Sequence, residues 1–316
     1  MNSHIQRQLT GTAVRRRSAL PLSEISARQL YDAIVRDLHT WRDVSLFLGG
    51  GPTSATDCLR QRLREGIRKE KRRGWWYRFQ VLYAEDLFEG ILYGPKPTDL
   101  LTLENLLADS VDCIVLVVES AGAICELGAF VNHEALQDRV LAVVDEKYRN
   151  HRSFIASGPV RYLAEGDPDQ VIQWDFRRSD SEPLVESVLD SAIEISRARR
   201  SSGEAPSPRG NLVVAMRFVL FALYLFDQVG IWDLGPTLEN VLDLPADESG
   251  LVARAAIDGL CSERNIAKEG EEYVLTPEGI GVLGDLIDQA YHPTVLRRTL
   301  DRLRVEYLNK ALREVS

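Results

Sequence analysis

The chain has 316 residues, more than one ordinary domain usually holds, so its length predicts two domains. Hydrophobic residues make up 45%, enough for a full core, and the formal net charge of −9 argues against indiscriminate nucleic-acid binding. No apolar run approaches the roughly 18–20 residues that cross a bilayer, and no signal peptide is recognised. Its four cysteines lack metal-ligand spacing. We therefore expect a cytoplasmic protein with reduced thiols, no metal site and no membrane association.

The first helical pattern of the chain covers residues 22–39 and is either a partner-binding arm or part of the fold. Alternating strand and helix patterns follow it. Helical connections between short apolar runs are typical of a parallel sheet covered by helices on both faces. The sequence therefore predicts an α/β fold with a doubly wound, Rossmann-like parallel sheet of about five strands. The predicted strands cover 44–48, 77–83, 112–118, 140–144 and 171–174, and the predicted helices cover 55–73, 101–109, 123–137 and 184–200.

Residues 201–210 are rich in Ser, Gly and Pro and predict a linker between two segments of different character. Beyond this linker, the pattern predicts three helices, two short strands joined by a turn, and a helix that begins at Thr276 and Pro277. This order of elements predicts a winged-helix domain over 211–316 that ends in a basic helix. The predicted helices cover 211–229, 234–242 and 251–264, and the strands include Ile266 and 273–275, with Glu269 and Gly270 at the turn.

The stretch DCIVLVVESAGAICELGAF, residues 112–130, carries the most informative pattern. An apolar strand ends at Glu119 and Ser120, and a small-residue loop leads into a helix that carries Glu126. Ligands of open α/β sheets lie outside the carboxyl ends of the strands, where such loops lead into helices. A carboxylate there can attack or stabilise a sugar carbon, which makes Glu126 a catalytic candidate. The alternative is that Glu126 is only a favourable acid in the first turn of a helix.

The densest basic cluster spans residues 60–78, where a charged helix is followed by Trp75, Trp76 and Tyr77. Positive charge beside flat aromatic rings suits single-stranded or structured nucleic acid, because phosphates meet arginine and bases stack. The alternative is an exposed charged helix whose tryptophans close the core. The residues assigned here to nucleic-acid binding are Arg64, Arg68, Lys69, Lys71, Arg72 and Arg73, and the cluster also contains Arg60, Arg62 and Arg78.

The presumed recognition helix of the predicted winged helix carries charges of both signs, whereas binding to DNA phosphates needs clustered Lys and Arg. A protein-contact or assembly role is therefore favoured at least as much as sequence-specific DNA reading. The tail 297–313 is amphipathic and basic. It is either a solvated helix packed on the domain or an arm that binds a nucleic-acid backbone or a partner subunit. The charges of the recognition helix are those of Arg254, Asp258, Glu263 and Arg264.

Five segments that occur in order carry a family resemblance. They are FLGGG (47–51), YAEDLFEGIL (83–92), LTLENLLADSVDCIVLVVES (101–120), ICELGAF (124–130) and RSFIASGPVRYL (152–163). The set resembles the nucleoside deoxyribosyltransferase-like domain of bacterial retron effectors, in the variety fused to a C-terminal winged helix. TLDRLRVEYLN, residues 299–309, resembles the end of the same proteins. The resemblance implies an N-glycosidase domain over 1–200, in which residues 1–40 are an N-terminal extension.

The resemblance implies roles for residues that match the family's motifs. In the deoxyribosyltransferases, the glutamate of the ELG motif is the nucleophile that attacks the anomeric carbon of the sugar, and this residue is Glu126 here. The acid that helps to orient the substrate falls on Glu104. The glycine loop that lines the pocket falls on Gly49, Gly50 and Gly51.

The sequence departs from the family pattern at one position of the predicted pocket. The transferases carry an aspartate six residues before the nucleophile, where this chain has Ser120, with Glu119 one step earlier. This departure favours a changed substrate over nucleobase exchange. Asp86 and Glu85, near the end of the second predicted strand, are further candidates for the substrate pocket, although either residue caps the following helix in the alternative interpretation.

The chemistry of a glycosidic bond to nitrogen suggests NAD as the changed substrate. Cleavage builds positive charge on the sugar, which a nearby carboxylate stabilises or traps covalently, and water completes the hydrolysis. Nicotinamide departs as a neutral group from a cationic nitrogen, so NAD needs little acid assistance. We therefore expect an NAD-cleaving N-glycosidase without a cofactor, acting as the toxic effector of a retron anti-phage system.

The resemblance also implies partners, namely a retron reverse transcriptase and its RNA–DNA hybrid product, msDNA. Family transferases assemble their sites from neighbouring subunits, so a homo-oligomer or a higher-order assembly is expected. Two other functions stay open at this point. One is a true deoxyribosyltransferase of nucleotide metabolism, and the other is a non-enzymatic winged-helix DNA-binding regulator.

Overall fold

The central element of the fold is a sheet of five parallel strands in the order β2-β1-β3-β4-β5. The strands are β1 (Asp43–Gly49), β2 (Arg78–Leu82), β3 (Cys113–Val117), β4 (Val140–Asp145) and β5 (Val171–Trp174). Every residue of β1, β3 and β4 is buried, as expected for strands covered on both faces. The computed structural model describes residues 24–40, 42–51, 58–70, 77–93, 99–149, 151–204, 206–226 and 229–315.

Helices cover both faces of this sheet. Alternate side chains of the strands point to opposite faces, so that Leu46 and Val115 pack with α2 and α8, whereas Phe47 and Ile114 belong to the core on the other face. The helices of this part of the chain are α1 (Glu24–Leu38), α2 (Leu59–Lys69), α3 (Ala84–Leu92), α4 (Leu100–Ser110), α5 (Ala121–Val131), α6 (Phe154–Ser157), α7 (Pro159–Gly166) and α8 (Glu182–Ser202).

The rest of the chain forms helices around a small antiparallel sheet with the strand order β6-β8-β7. Gly270 has a φ of 66° in the tight turn between β7 and β8, a conformation that glycine adopts without steric cost. The elements are α9 (Leu212–Phe226), β6 (Val229–Gly230), α10 (Ile231–Leu242), α11 (Ala246–Ser262), β7 (Ile266–Glu269), β8 (Glu272–Leu275), α12 (Pro277–Asp288) and α13 (Pro293–Val315).

The two parts of the chain share one hydrophobic core. α9 is apolar on almost all sides and lies between the sheet-covering helices and the C-terminal helices. α1 packs against α9, α10 and α13, so the described part of the predicted N-terminal extension lies against the C-terminal elements, and residues 1–23 lie outside the described residues. The division of the chain at 201–210 stays a prediction. Among the described residues, no helix is both long and apolar enough to cross a membrane.

A buried charge network joins α9 to the amino ends of the strands. Arg217 of α9 places Nη2 3.0 Å from Oδ1 of Asp43, and Nη2 of Arg78 lies 2.7 Å from Oδ2 of the same carboxylate. Arg217 also donates to the carbonyl oxygen of Leu38, at the end of α1. Burial would raise the pKa of Asp43, but the two guanidinium groups hold it below its usual value. The network fixes β1, β2, α1 and α9 relative to one another.

The structure confirms the predicted α/β fold and all five predicted strands, with ends that differ by at most one residue. The helix start at Thr276 is also confirmed, because its side chain accepts a hydrogen bond from the backbone N–H of Gly279. The predicted helix 55–73 is described only over Leu59–Lys69. The pattern did not identify α6, α7 or β6, which are too short for a clear period.

We predict that Asp43→Asn destabilises the protein strongly. The substitution leaves Arg217 and Arg78 buried without their carboxylate, and breaking a buried pair in this way costs about 3–5 kcal/mol. Urea unfolding measures the loss. The matched control is Asp288→Asn, which breaks an exposed pair with Arg297 and is expected to cost less than about 1 kcal/mol. Equal effects of the two variants would contradict the structural role of the network.

The same pair predicts the pH dependence of stability. Because the folded-state pKa of Asp43 is lowered, its contribution is present above the pKa of the unfolded chain and is lost as pH falls through the folded-state value. Acid titration of unfolding should therefore show a loss of stability below the ordinary aspartate range that is absent in Asp43→Asn.

Candidate active site

The candidate site lies at the carboxyl ends of β1 and β3, where the strand order reverses. The chain leaves β1 towards β2 on one side, and β3 lies on the other side of β1. Such a switch point is where open α/β sheets bind ligands. α5 begins just after β3, and Ser120 caps it by accepting a hydrogen bond from the backbone N–H of Ala123 at 3.1 Å. Glu126 follows on the second turn of this helix.

Gly49, the last residue of β1, lies directly against Glu126. A Cβ atom at Gly49 would be 2.7 Å from Oε2 of Glu126 and 2.5 Å from Cδ2 of Leu116. A side chain cannot occupy that space without a shift, so the absence of one lets the carboxylate approach the backbone. The structure thus brings together two residues that the sequence predicted in one pocket.

Glu126 carries a carboxylate with unused bonding capacity. Its Oε2 is buried and accepts no hydrogen bond from any described residue. Burial raises the pKa of Glu126, while the positive charge of Arg60 lowers it and the negative charge of Glu85 raises it further. A buried carboxylate oxygen without a donor is costly, and such groups in native structures call for a functional explanation.

Glu104, on α4, is the second carboxyl group of the candidate site and is buried, with 8% of its surface exposed. Burial raises its pKa to about 7, and the charges of Glu126 and Glu85 contribute to the rise against the opposing effect of Arg60. At neutral pH, Glu104 is therefore close to half protonated, and the negative charge of Glu126 opposes the loss of its proton. Two carboxyl groups whose environments separate their pKa values are suited to different chemical roles.

Arg60 supplies the positive charge of the site. Its Nε donates to the carbonyl oxygen of Leu48 at 2.9 Å, and its Nη1 donates to the carbonyl oxygen of Gly51 at 3.0 Å. The guanidinium pairs with both oxygens of Glu85, at 2.6 and 2.7 Å. It also stacks over the ring of Tyr83, 4.4 Å from the ring centroid. Arg60 thereby fixes the loop after β1 to the start of α3.

The glycine loop is held from the other side by Glu119. The backbone N–H of Gly51 donates to Oε1 of Glu119 at 3.2 Å, so the loops after β1 and β3 are joined at the switch point. A Cβ atom at Gly50 would lie 3.1 Å from Cδ of Arg60, in contact with the side chain that crosses the loop. Glu119, Gly50 and Gly51 therefore shape the loop around Glu126, and their assignment to substrate binding stays a prediction.

Asp86 is held in an ion pair with Arg64. Its Oδ2 lies 2.6 Å from Nη2 of Arg64, whose side chain is only 12% exposed and stacks on Tyr83. The assignment of Asp86 to the substrate pocket stays a prediction. The assignment of Arg64 to nucleic-acid binding also stays a prediction, but the burial of Arg64 in this ion pair does not support that assignment.

The basic cluster of residues 60–78 does not form one exposed face. Arg60 and Arg78 are buried in ion pairs with Glu85 and Asp43. Arg68 and Lys69 are exposed at the end of α2 and keep their predicted assignment to nucleic acid. The remaining cations assigned there, Lys71, Arg72 and Arg73, lie outside the described residues.

The helix predicted to read DNA, α11, is covered by protein. It packs against α3, α9 and α10, and between Leu251 and Cys261 the one exposed side chain is that of Arg254. In this arrangement α11 cannot lie along a major groove without leaving α3. The protein-contact alternative is therefore the one that the packing favours.

Arg60 and Glu85 are the site residues whose role the sequence did not reveal. The sequence pattern groups Arg60 with the other cations of its helix, whereas the structure places it on the face of α2 that turns inward to the site. The available signal is its position in the first turn of the helix that follows the glycine loop. Glu85 was named only beside Asp86, since either acid fits the first turn of α3.

Sequence similarity links this chain to retron proteins. The family described as STM3845 retron effector protein matches residues 57–251. The chain is 31% identical over 279 residues to the Escherichia coli protein named "Retron Ec86 putative ribosyltransferase/DNA-binding protein", which covers 84% of each chain. The correspondingly named retron Ec73 protein of Escherichia coli is 34% identical over 67 residues, or 21% of each chain.

We predict that Gly49→Ala destabilises the protein by about 1–3 kcal/mol, because the new methyl group overlaps Glu126 and Leu116. Chemical denaturation measures the change. Gly281→Ala in α12 is the matched control, because a Cβ atom there meets no described atom within 4 Å outside its own helix backbone. That control should stabilise the helix by up to about 1 kcal/mol. If Gly49→Ala leaves the free energy of unfolding unchanged, the close approach of Glu126 to Gly49 is not a constraint on the fold.

Proposed function

The chain belongs to the STM3845 retron effector family, and we propose that it is an N-glycosidase that hydrolyses NAD with Glu126 as its catalytic carboxylate. The observation that carries this proposal is the buried Oε2 of Glu126, which has no hydrogen-bond donor among the described residues and lies against Gly49 at the switch point. The "ribosyltransferase" in the name of the retron Ec86 protein supports chemistry at a ribose carbon.

In the proposed reaction, Glu126 acts on the ribose carbon that is bonded to nicotinamide. The bond from this carbon to the nicotinamide nitrogen breaks, and its electron pair neutralises the cationic ring, which leaves without a proton. The carboxylate stabilises the positive charge on the sugar or forms an ester with it. Water then bonds to the carbon and releases a proton, which yields ADP-ribose and restores the carboxylate of Glu126.

The other charged groups of the site assist in distinct ways. Arg60 favours the ionised form of Glu126 and holds the loop after β1 against the start of α3. Glu104 in its protonated form can donate a hydrogen bond that orients the substrate, and it then adds no second negative charge beside Glu126. This division of roles needs a protonated Glu104 and an ionised Glu126 at the same pH.

We extend the proposal to the partners of a retron system, a reverse transcriptase and msDNA. The name of the retron Ec86 protein includes DNA binding, and the helices and strands from α9 to α12 have the order of a winged helix. Because α11 is covered by α3, we assign the nucleic-acid contacts to exposed cations elsewhere, at Arg68 and Lys69 and along α13. A homo-oligomer or a larger assembly is part of the same proposal.

We predict that the wild-type protein releases nicotinamide and ADP-ribose from NAD and that Glu126→Gln does not. A mass-spectrometric time course measures both products, with the protein alone and with its reverse transcriptase and msDNA. The glutamine variant keeps the size of the side chain and removes the charge that stabilises the sugar cation. Asp190→Asn, an exposed change on α8, is the control that should retain turnover.

The same time course includes a panel of deoxynucleosides. Exchange of bases between them would support a deoxyribosyltransferase instead of an NAD hydrolase. Turnover of NAD at equal rates by the wild type and Glu126→Gln would exclude Glu126 as the catalytic residue.

We predict a bell-shaped dependence of kcat/KM for NAD on pH. The rate should rise with pH as Glu126 ionises and fall above a pH of about 7 as Glu104 loses its proton. Glu104→Gln keeps a hydrogen-bond donor and cannot ionise, so its profile should lose the alkaline limb. An alkaline limb that persists in Glu104→Gln would assign that limb to another group.

A further inference from the structure

Three arginines lie on one face of α2 at successive turns, Arg60, Arg64 and Arg68. Each is paired with a different acid: Glu85 at 2.6 Å, Asp86 at 2.6 Å and Glu263 at 3.5 Å. Glu85 and Asp86 belong to the first turn of α3, and Glu263 caps the C-terminus of α11. The three ion pairs, here called the α2 relay, run from the candidate active site to the C-terminal part of the chain.

The charges in the middle of the α2 relay, on Arg64 and Asp86, act on Glu263 at its far end. Burial raises the pKa of Glu263, whereas the positive charges of Arg68 and Arg64 lower it and the charge of Asp86 raises it. Glu263 therefore senses both arginines and the acid of α3. Arg68 and Glu263 also line a groove of about 430 Å³ at the edge of the sheet, which makes the last pair accessible from the surface.

α3 and α11 pack so closely that they are expected to move together. A Cβ atom at Gly90 of α3 would lie 2.7 Å from Oδ2 of Asp258, and one at Gly259 of α11 would lie 2.5 Å from Cδ2 of Leu87. Small residues at the helix crossing allow this approach, and close-packed interfaces transmit displacement with little compression. A shift of α11 away from α2 therefore carries the first turn of α3 with it.

At the site end, the position of Glu85 decides how the charge of Arg60 is shared. Glu104 lies within electrostatic range of Glu126 on α5, Glu85 on α3 and Arg60 on α2. While Glu85 holds both ends of the Arg60 guanidinium, its own negative charge opposes the ionisation of Glu104 and Glu126. Withdrawal of Glu85 removes that charge and frees Arg60 to compensate the two remaining carboxylates.

We propose that the α2 relay couples the position of α11 to the charge around Glu126 and Glu104, with Glu85 and Asp86 as positioning residues. The inference rests on the proposed function, since it concerns the control of the same two carboxyl groups. An event that displaces α11 makes both carboxyl groups more acidic, which changes the protonation state in which the site operates. Coupling of this kind needs an element with two arrangements that both sites bias, and the proposal assigns this role to α3.

The experiment measures the pKa of Glu104 directly, by NMR titration of the full chain labelled with ¹³C at the glutamate carboxyl carbons. The Glu104 signal is assigned by its loss in Glu104→Gln. Arg68→Gln breaks the far end of the α2 relay and is expected to lower the pKa of Glu104 by about half a unit, since a half-exposed ion pair limits the effect. Simple loss of a positive charge would instead raise this pKa, so the sign is decisive.

Lys69→Gln is the matched control, because it removes the adjacent exposed cation without touching the α2 relay. It should leave the pKa of Glu104 unchanged or slightly raised. Glu85→Gln, which acts at the site end, should lower the pKa of Glu104 at least as much as Arg68→Gln does. A Glu104 pKa that rises in Arg68→Gln, or that equals the value in Lys69→Gln, would overturn the proposal.

Backbone NMR spectra of each variant verify that it is folded before its titration is interpreted. The titration requires no turnover, so its outcome is independent of the NAD assay. If the pKa of Glu104 shifts as expected but the chain does not hydrolyse NAD, the proposed function is refuted and the α2 relay is not.

Discussion

The buried guanidinium of Arg60 is the constraint around which the candidate site is arranged. A charge removed from water costs several kcal/mol unless it is paired and hydrogen-bonded. Arg60 satisfies this requirement with the carbonyl oxygens of Leu48, near the end of β1, and Gly51, in the loop after it, and with both oxygens of Glu85. The loop, α2 and the start of α3 must therefore adopt mutually consistent positions. The same charge lies near Glu126 and Glu104, so the group that fixes the backbone also sets the ionisation of the carboxyl groups.

The site is built on a body in which the two ends of the chain are interlocked. Arg217 of α9 pairs with the buried carboxylate of Asp43 at the amino ends of the strands. α11 packs against α3 near the carboxyl ends of the strands. The C-terminal elements thus contact the α/β part of the chain near both ends of its strands. Similarity to the retron Ec86 protein likewise extends over 84% of the chain and is not confined to the α/β part.

The sequence was sufficient to predict the sheet and the position of Glu126, because strands buried on both faces read as continuous apolar runs and the loop after β3 is rich in small residues. It was not sufficient for Arg60 and Glu85. Both residues are ordinary for exposed helices, and the burial of Arg60 and its pairing with Glu85 depend on contacts between segments that are distant in the chain. The contact of α11 with α3 has no local signal either, since Gly90 and Gly259 have meaning only when the two helices meet.

The packing of α1 against α9, α10 and α13 bears on how the chain folds during its synthesis. A nascent chain that has emerged as far as the sheet still lacks the helices that cover α1 and support α3. Contacts between such distant segments form late, and slowly, because a large loop must close first. The order of translation thus delays the support of α3 until α11 has been synthesised. In the proposed function, this delay gives a newly made copy time to meet its partners before it can hydrolyse NAD.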